Sequence, residues 1–362
     1  MERNRNIDII RSIALLLVLV YHGWVKIGSI SIGCEVVQTV IRLGGEIGVT
    51  TFFALSGYGI YQSLHRMEQE GKIQFFLFIK KRLKRILPQY YFNLLIVLLL
   101  TSGAIYLSTM HIWDIAAHFL LIHNLFPSYS GAINGVLWTM GVTCQFYLIA
   151  IPLYKLLNKI GLLFIPLGIL CTISCKAIAF HYVLADFIGA DNYVSYSFWI
   201  GRSMIITSLD NFLIGMGVAF VTQKYREIKK KWMAVIGLAL SMAVLYFVCK
   251  EGLIYGIHTD NWSGYLWHSQ VAISIGSIML CSCYLGVTHR NIFSRGMLWL
   301  SKYEYGIYLW HLIIIDNLIQ YSSMIQGMLV GEKYFAVEIL FIIISVVVGV
   351  LFTQLIDERV RK

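Results

Sequence analysis

The chain has 362 residues, of which 58% are hydrophobic and 13% charged, and its mean hydropathy is +0.72. Soluble globular proteins are roughly 45–50% apolar and about 25% charged. The composition therefore excludes an ordinary soluble domain and predicts an all-α, polytopic integral membrane bundle, formed by a single domain over residues 1–362. The net charge of +10 has the sign required for nucleic-acid binding. Whether the chain binds nucleic acid is therefore judged from where the basic residues lie.

Apolar stretches long enough to cross a bilayer, roughly 17–25 residues, recur along the chain and predict about ten transmembrane helices. They lie near residues 8–26, 45–64, 87–107, 136–157, 160–182, 203–222, 232–249, 267–287, 303–321 and 335–356. A shorter stretch, Ile112–Phe126, is expected to lie at the interface or to re-enter the membrane. The N-terminus resembles a signal peptide but lacks an A-x-A-like cleavage site, so we expect it to be retained as the first span.

The basic residues test this topology. If the N-terminus is cytoplasmic, the predicted inner segments hold 23 of the 29 Lys and Arg residues, five are outside, and Lys176 lies within a span. Residues 108–135 contain no Lys or Arg. The positive-inside rule therefore favours ten spans with both termini cytoplasmic. It also accounts for the net charge without a nucleic-acid partner.

The positions of the cysteines do not indicate a disulfide framework, and the histidines of the predicted external segment do not indicate a metal site. Six of the seven cysteines lie in apolar stretches, and only Cys34 falls in a predicted external loop. His111, His118 and His123 are spaced by seven and five residues, without the i, i+3 or i, i+4 pairs of a compact ligand set. We therefore expect no metal.

The first span, within "RSIALLLVLVYH", carries Arg11 and His22. Eleven residues make about three helical turns, so both side chains share one face and are separated by about 16 Å along the helix. Ionisable groups facing lipid are expensive, so this face is expected to point into the bundle or a wet cavity. From these two residues alone, an interfacial anchor and a hydrogen-bonded core histidine remain the alternative.

The sequence resembles the membrane acyltransferase-3 family, which includes bacterial surface-glycan O-acetyltransferases. The family's first helix carries an Arg, ten residues and a His, here Arg11 and His22, preceded by Asp8. Later matches follow in order: "GVTTFFALSGYGI", "FIKKRLKRILPQYY", "LWTMGVTCQFYL", "LDNFLIGMGVAF" and "YGIYLWH". One departure is that Thr143 and Cys144 stand where relatives often carry a glutamate. Either another acid such as Asp210 replaces it, or the acceptor differs, or activity is lost.

The resemblance implies that an acyl group, most often acetyl, is transferred from cytoplasmic acyl-CoA to a hydroxyl of a surface saccharide in the bacterial inner membrane. His22 is the candidate general base, since an imidazole titrates near neutral pH. Arg82 and Arg85 share a helix face in a run of basic residues and, with Arg11, are candidates to bind the CoA phosphates. Asp8 is placed to pair with Arg11. The alternative for the basic run is binding of anionic lipid head groups.

Other polar residues within the predicted spans are candidates to line a cavity or to orient the acceptor. They are Ser56, Trp138, Gln145, Tyr147, Tyr308 and His311. Interhelical hydrogen bonding is the alternative for Ser56 and Tyr147, and a structural role is the alternative for His311. Asp210, near a span end, is either a supporting acid or an interfacial residue, and Lys176 is expected to pair or to snorkel.

Two other functional classes stay open. Buried His and Asp residues also build the proton relays of secondary transporters, and the missing glutamate is compatible with that function. A non-catalytic partner in an envelope assembly is the third possibility. The sequence contains no P-loop and no hydrolase nucleophile elbow, so nothing local supports ATP-driven or lipase-like chemistry.

Overall fold

The computed structural model describes residues 4–71, 73–101, 112–183, 193–225, 227, 230–285, 291–331 and 333–361. Within these ranges the chain is helical and has no β-strand, which confirms the predicted all-α class. The α-helices are α1 (Arg5–Lys26), α2 (Glu35–Arg42), α3 (Gly44–Gln69), α4 (Phe75–Ile96), α5 (Ile112–Phe119), α6 (Pro127–Ser130), α7 (Trp138–Ile160), α8 (Phe164–Ile178), α9 (Tyr193–Phe198), α10 (Leu209–Lys224), α11 (Lys231–Tyr255), α12 (Trp262–Tyr284), α13 (Ile292–Tyr321), α14 (Ser323–Val330) and α15 (Tyr334–Arg361).

Among the described residues, five helical stretches are long and apolar enough to cross a membrane. They are α1, the stretch Trp138–Val183 that contains α7 and α8, α11, α12, and Tyr334–Ile356 in α15. A bent pair, Ser195–Ser203 with Ile206–Lys224, would be a sixth. The chain is therefore a multi-pass membrane protein. Fewer stretches meet these criteria than the ten predicted. Helices α7 and α8 count as one stretch, α3 and α13 have the length but carry charged and polar residues, and the predicted span 87–107 ends outside the described residues.

Two predicted spans meet at Gly161, and a third begins at a sharp bend. Gly161 has φ +67°, a conformation that glycine adopts readily, and it ends α7 before α8 begins. The predicted span 203–222 lies almost wholly within Ile206–Lys224, and the helical stretch before it, Ser195–Ser203, is bent by 69° from that axis. Met204 between them is extended, with φ −93° and ψ 144°, which interrupts the helical hydrogen bonds.

Helices α1 and α13 pack side by side and run in the same direction. Ser12 Oγ donates a hydrogen bond of 2.6 Å to the Met297 carbonyl, and Lys26 Nζ lies 2.5 Å from Asp316 Oδ1. The contact residues ascend together along both helices, so the two helices are parallel.

Helix α3 packs against α1 in the opposite direction, through glycines that allow close approach. A Cβ on Gly44 would lie 2.7 Å from the Leu17 carbonyl oxygen, and one on Gly48 would lie 2.7 Å from that of Ala14. The contacts descend along α1 as they ascend along α3. We call the two ends of the bundle the Arg11 end and the His22 end, after the residues of α1 that lie towards them. The N-terminus of α3 lies at the His22 end.

The predicted interfacial or re-entrant stretch Ile112–Phe126 forms short helical pieces instead of a span. Helix α5 is followed by a 3-10 turn, His123–Leu125, and then by α6. His118, His123 and Asn124 are completely buried. The segment therefore packs into the bundle rather than lying only on its surface.

Candidate functional site

The face of α1 that carries Arg11 and His22 points at α13. Arg11 Nε lies 3.8 Å from Glu304 Oε1, and His22 Nδ1 lies 3.0 Å from His311 Nε2. Glu304 and His311 are seven residues apart, about two turns of α13. Arg11 and His22 are thus both held by partners on one neighbouring helix. Asp8 lies 3.4 Å from Arg11 Nη1, so it forms the predicted pair.

His22 and His311 form a hydrogen-bonded pair of imidazoles. His311 Nδ1 lies 2.6 Å from the Tyr308 carbonyl oxygen, and His22 Nδ1 lies 3.0 Å from that of Val18. Carbonyl oxygens only accept, so Nδ1 of each ring must carry the proton. His22 Nδ1–H is then shared between His311 Nε2 and Val18. Nε2 of His22 keeps its lone pair, and no described residue bonds to it.

A cavity of about 210 Å³ lies between α1, α3, α4, α7 and α13. Six of the predicted site residues line it: Arg11, Ser56, Arg82, Arg85, Tyr147 and Tyr308. Lys302 adds a further cation. One region of the cavity wall is therefore rich in positive charge, which suits a phosphorylated ligand.

Arg82 is held in place along the cavity wall. Its Nη2 donates a hydrogen bond of 2.9 Å to the Gly59 carbonyl. Its guanidinium lies 5.4 Å from the ring centroid of Phe78 and 5.9 Å from that of Tyr147, within cation–π range. These contacts order the arginine before any ligand arrives, whereas Lys80 and Lys81 on the same helix are exposed and do not line the cavity.

Trp138 and Gln145 lie in α7 but do not line this cavity. Gln145 exchanges amide hydrogen bonds of 2.8 and 3.3 Å with Asn124. Asn124 also donates to the Ser203 carbonyl at 2.8 Å. Gln145 therefore anchors the short-helix segment to the bundle. Trp138 packs edge-on against Phe53, which does line the cavity.

Asp210 is completely buried within the bundle. It accepts a hydrogen bond of 2.5 Å from Ser269 Oγ, and it interacts electrostatically with Lys176. Lys176 is itself completely buried, so it does not snorkel. Asp210 does not line the cavity, whereas Thr143, at the place of the family's glutamate, does. Among the lining residues the carboxylate is supplied by Glu304.

Sequence reasoning missed a second polar group at the His22 end, which we call the Glu46 cluster: Glu46, Arg202, His258 and His268. Arg202 Nε lies 2.9 Å from Glu46 Oε2, His268 Nε2 lies 3.1 Å from the same oxygen, and His258 Nε2 lies 3.2 Å from Oε1. The available signal was an acidic residue, Glu46, inside a predicted apolar span. Its partners come from two distant parts of the chain.

The histidines of the short-helix segment contact each other and a neighbouring carboxylate. The rings of His118 and His123 stack with centroids 4.0 Å apart, and His118 Nδ1 lies 2.9 Å from Asp114 Oδ1. His111 lies outside the described residues. In the described part of the chain, the group with donor atoms close enough for a metal is Glu46, His258 and His268, all within 4.8 Å of one another.

Residues 4–357 match the family described as "Acyltransferase domain". The chain belongs to this family. The match confirms the resemblance read from the sequence motifs, and it runs from just before α1 to the last turns of α15. No solved structure matches the chain.

Similar proteins carry O-acetyltransferase names. The chain is 27% identical over 338 residues to "Peptidoglycan O-acetyltransferase OatA" of Listeria monocytogenes, covering 86% of this chain and 49% of that protein. It is 25% identical over 395 aligned positions to "Putative peptidoglycan O-acetyltransferase YrhL" of Bacillus subtilis, covering 98% and 54%. The chain therefore spans about half the length of the curated relatives it matches.

Proposed function

We propose that this chain is a membrane domain that transfers an acyl group, most often acetyl, from acyl-CoA to a hydroxyl of a saccharide. The observation that carries the proposal is the position of the His22–His311 pair relative to the cavity. Tyr308 lines the cavity, and His311 lies one turn further along α13. Cations at one part of the cavity and a candidate base beyond its other end suit a long donor with a charged head and a reactive tip.

The donor binds through its phosphates in this proposal. CoA carries a pyrophosphate and a 3′-phosphate, and Arg11, Arg82 and Arg85 line the cavity towards the Arg11 end. Arginine's planar fork matches phosphate oxygens and stays charged at all physiological pH values. The thioester would then extend along α3 towards Tyr308.

The chemical step needs a base because a hydroxyl attacks a thioester slowly while it keeps its proton. His22 Nε2 accepts the proton as the hydroxyl oxygen bonds to the thioester carbonyl carbon. The C–S bond then breaks, and the imidazolium returns the proton to the CoA thiolate, which leaves as the free thiol. His311 holds His22 in the tautomer that keeps Nε2 unprotonated.

We further propose the topology inferred from the basic residues, with ten spans and both termini in the cytoplasm of a bacterial cell, across its inner membrane. The parallel course of α1 and α13 supports it. In α15, Glu338 lies beside Gly23 and Thr353 beside Gly306, so α15 runs towards the Arg11 end. The N-terminus of α1 and the C-terminus of α15 therefore lie at the Arg11 end, as expected if both termini of the chain are on one side of the membrane.

The acceptor class is proposed from the relatives. Two of them are named for peptidoglycan, a saccharide polymer outside the cell membrane. A surface saccharide would approach from the His22 end under the proposed topology, opposite the donor. The proposed activity requires no metal ion.

The test uses the purified full chain in lipid nanodiscs with radiolabelled acetyl-CoA and a tetrasaccharide from peptidoglycan strands. We expect wild-type protein to form labelled O-acetyl saccharide, and His22→Ala to lose at least about 100-fold in rate, as for a lost general base. His181→Ala, an exposed histidine with 65% of its side chain accessible, is the matched control. A wild-type protein that leaves acetyl-CoA intact but moves solute across liposomes without it would support the transporter instead.

A further inference from the structure

The Glu46 cluster adjoins the deep end of the donor cavity. Along α3 the cavity extends from Ile60 to Val49, and Glu46 lies three residues further, about one turn. Glu46 interacts electrostatically with both His22 and Tyr308. The cluster and the histidine pair thus both lie beyond the same end of the cavity, towards which the thioester of a bound donor would point.

Buried polar atoms without hydrogen-bond partners concentrate around this cluster. Among the described residues they include Arg202 Nη2, Ser203 Oγ, His258 Nδ1, Ser263 Oγ and His268 Nδ1. Most buried polar groups in proteins are bonded, so each exception calls for a water, an ion or a ligand. Arg202 is completely buried and offers unpaired N–H groups. The cluster therefore has donors and acceptors to spare for a polar ligand.

Charge balance favours a neutral ligand over a metal ion. Glu46 is already neutralised by Arg202, and Lys176 and Asp210 form a second pair of opposite charges nearby. A divalent cation would add two uncompensated charges to this buried group, next to a guanidinium, and uncompensated buried charge is strongly unfavourable.

Aromatic rings complete the surroundings. The Arg202 guanidinium lies 5.8 Å from the ring centroid of Trp138, and Phe198 stands 5.4 Å from Trp138 and 5.3 Å from His258. A few fixed polar groups beside aromatic faces are typical of sites for small polar molecules.

The cluster is reachable from the His22 end. The side chains of Glu46 and His258 are 15% and 19% exposed, whereas His268 and Arg202 are fully buried. His258 lies in the connection between α11 and α12. An acceptor entering there would meet His258 and Glu46 before His268 and Arg202.

We propose that the Glu46 cluster is the acceptor subsite and takes a neutral, polyhydroxylated molecule, a saccharide, from the side opposite the donor cavity. The inference rests on the proposed transferase function. It assigns binding of the acceptor to residues separate from those that bind CoA phosphates, so the two sets of variants should affect different substrates.

The experiment measures how the labelled acetyl group divides between saccharide and water, using N-acetylglucosamine tetrasaccharide as the acceptor probe. This ratio is independent of the fraction of active protein. For His258→Gln and His268→Gln we expect the ratio of acetyl saccharide to free acetate to fall about tenfold or more, as when a buried polar contact is lost. The KM for acetyl-CoA should stay near that of wild type. Arg82→Gln should do the reverse, raising that KM and leaving the ratio unchanged.

His181→Gln, an exposed histidine paired with Asp260 at the same end, is the matched control and should leave the ratio unchanged. Unchanged ratios in both cluster variants, in a wild-type protein that transfers acetyl, would overturn the subsite and leave the transferase intact. Stoichiometric zinc in wild-type protein, lost in both variants and with chelation reproducing their defect, would make the cluster a metal site and overturn the proposal. A wild-type protein that consumes no acetyl-CoA would overturn both proposals together.

Discussion

At the scale of single residues, the tautomer of His22 is determined by its neighbours. An isolated imidazole exchanges tautomers, whereas here the Val18 and Tyr308 carbonyls and His311 assign the protons. His311 does not line the cavity. In the proposed mechanism it acts through His22, as a positioning residue.

Replacing His311 should separate positioning from packing. We expect His311→Leu, of similar volume, to lower kcat about 100-fold with little change in the KM for acetyl-CoA, at the low end of the range for general base catalysis. His311→Gln can still accept from His22 Nδ1–H through its amide oxygen and should recover part of the rate. Equal losses in the two variants, with equal melting temperatures, would contradict the positioning role.

A second prediction concerns Arg82 of α4 and the binding of the donor. Arg82→Gln removes a guanidinium ordered by Gly59, Phe78 and Tyr147, and should raise the KM for acetyl-CoA about tenfold, because a hydrogen bond to a charged group contributes about 1.5–3 kcal/mol. Lys81→Gln removes the same charge from an exposed position on the same helix. Steady-state kinetics that show the same rise for Lys81→Gln would mean that general electrostatics, not a phosphate contact, determines donor binding.

At the scale of elements, the crossing of α3 and α10 sets how closely the site residues approach one another. A Cβ on Gly57 would lie 2.0 Å from the Phe212 carbonyl oxygen, and one on Gly215 would lie 1.8 Å from that of Ala54. Both obstacles are backbone atoms, so they cannot rotate aside. Small residues at such crossings let helix backbones approach within a membrane.

Alanine at these two positions should therefore force the helices apart. We expect Gly57→Ala and Gly215→Ala each to reduce stability by about 1–3 kcal/mol, the usual range for overpacking, measured by thermal unfolding in detergent. Gly59→Ala is the matched control in the same helix, since a Cβ there meets nothing within 4 Å. A control that unfolds as early as the other two would show that helix flexibility, not steric overlap, is responsible.

At the scale of the whole molecule, the parallel course of α1 and α13 constrains the topology. Cys34 follows α1 and is exposed at the His22 end. Arg5 and Ile292, the first residues of α1 and α13, are exposed at the Arg11 end. If the proposed topology holds, these two sets face opposite sides of the membrane.

Thiol labelling checks this arrangement in intact cells. With the other cysteines replaced, we expect Cys34 to react with a membrane-impermeant maleimide added outside. Arg5→Cys and Ile292→Cys should react only after the membrane is permeabilised. Labelling of Ile292→Cys from the same side as Cys34 would contradict a parallel pair of spanning helices, and labelling of Arg5→Cys from outside would invert the topology.

The structural class of the molecule and one face of the candidate site depend on local interactions, so both could be predicted from the sequence. Hydropathy and helical periodicity depend on neighbours within a few turns, so the all-helical membrane class and the shared face of Arg11 and His22 followed from the chain alone. The cationic stretch at Arg82 and Arg85 was readable for the same reason. Hydropathy predicted ten spans, but within the described part of the chain five or six stretches are long and apolar enough, because helices such as α3 and α13 carry charged and polar residues.

Only the tertiary structure decided which distant residues meet. His22 bonds His311 across 289 positions, and Glu46 gathers Arg202, His258 and His268 from elements that share no local pattern with it. Asp210 lies near a predicted span end yet is completely buried, where it accepts a hydrogen bond from Ser269 of α12. A buried charge is stable only beside its partner, and that partner is determined by how the helices pack rather than by spacing along the chain.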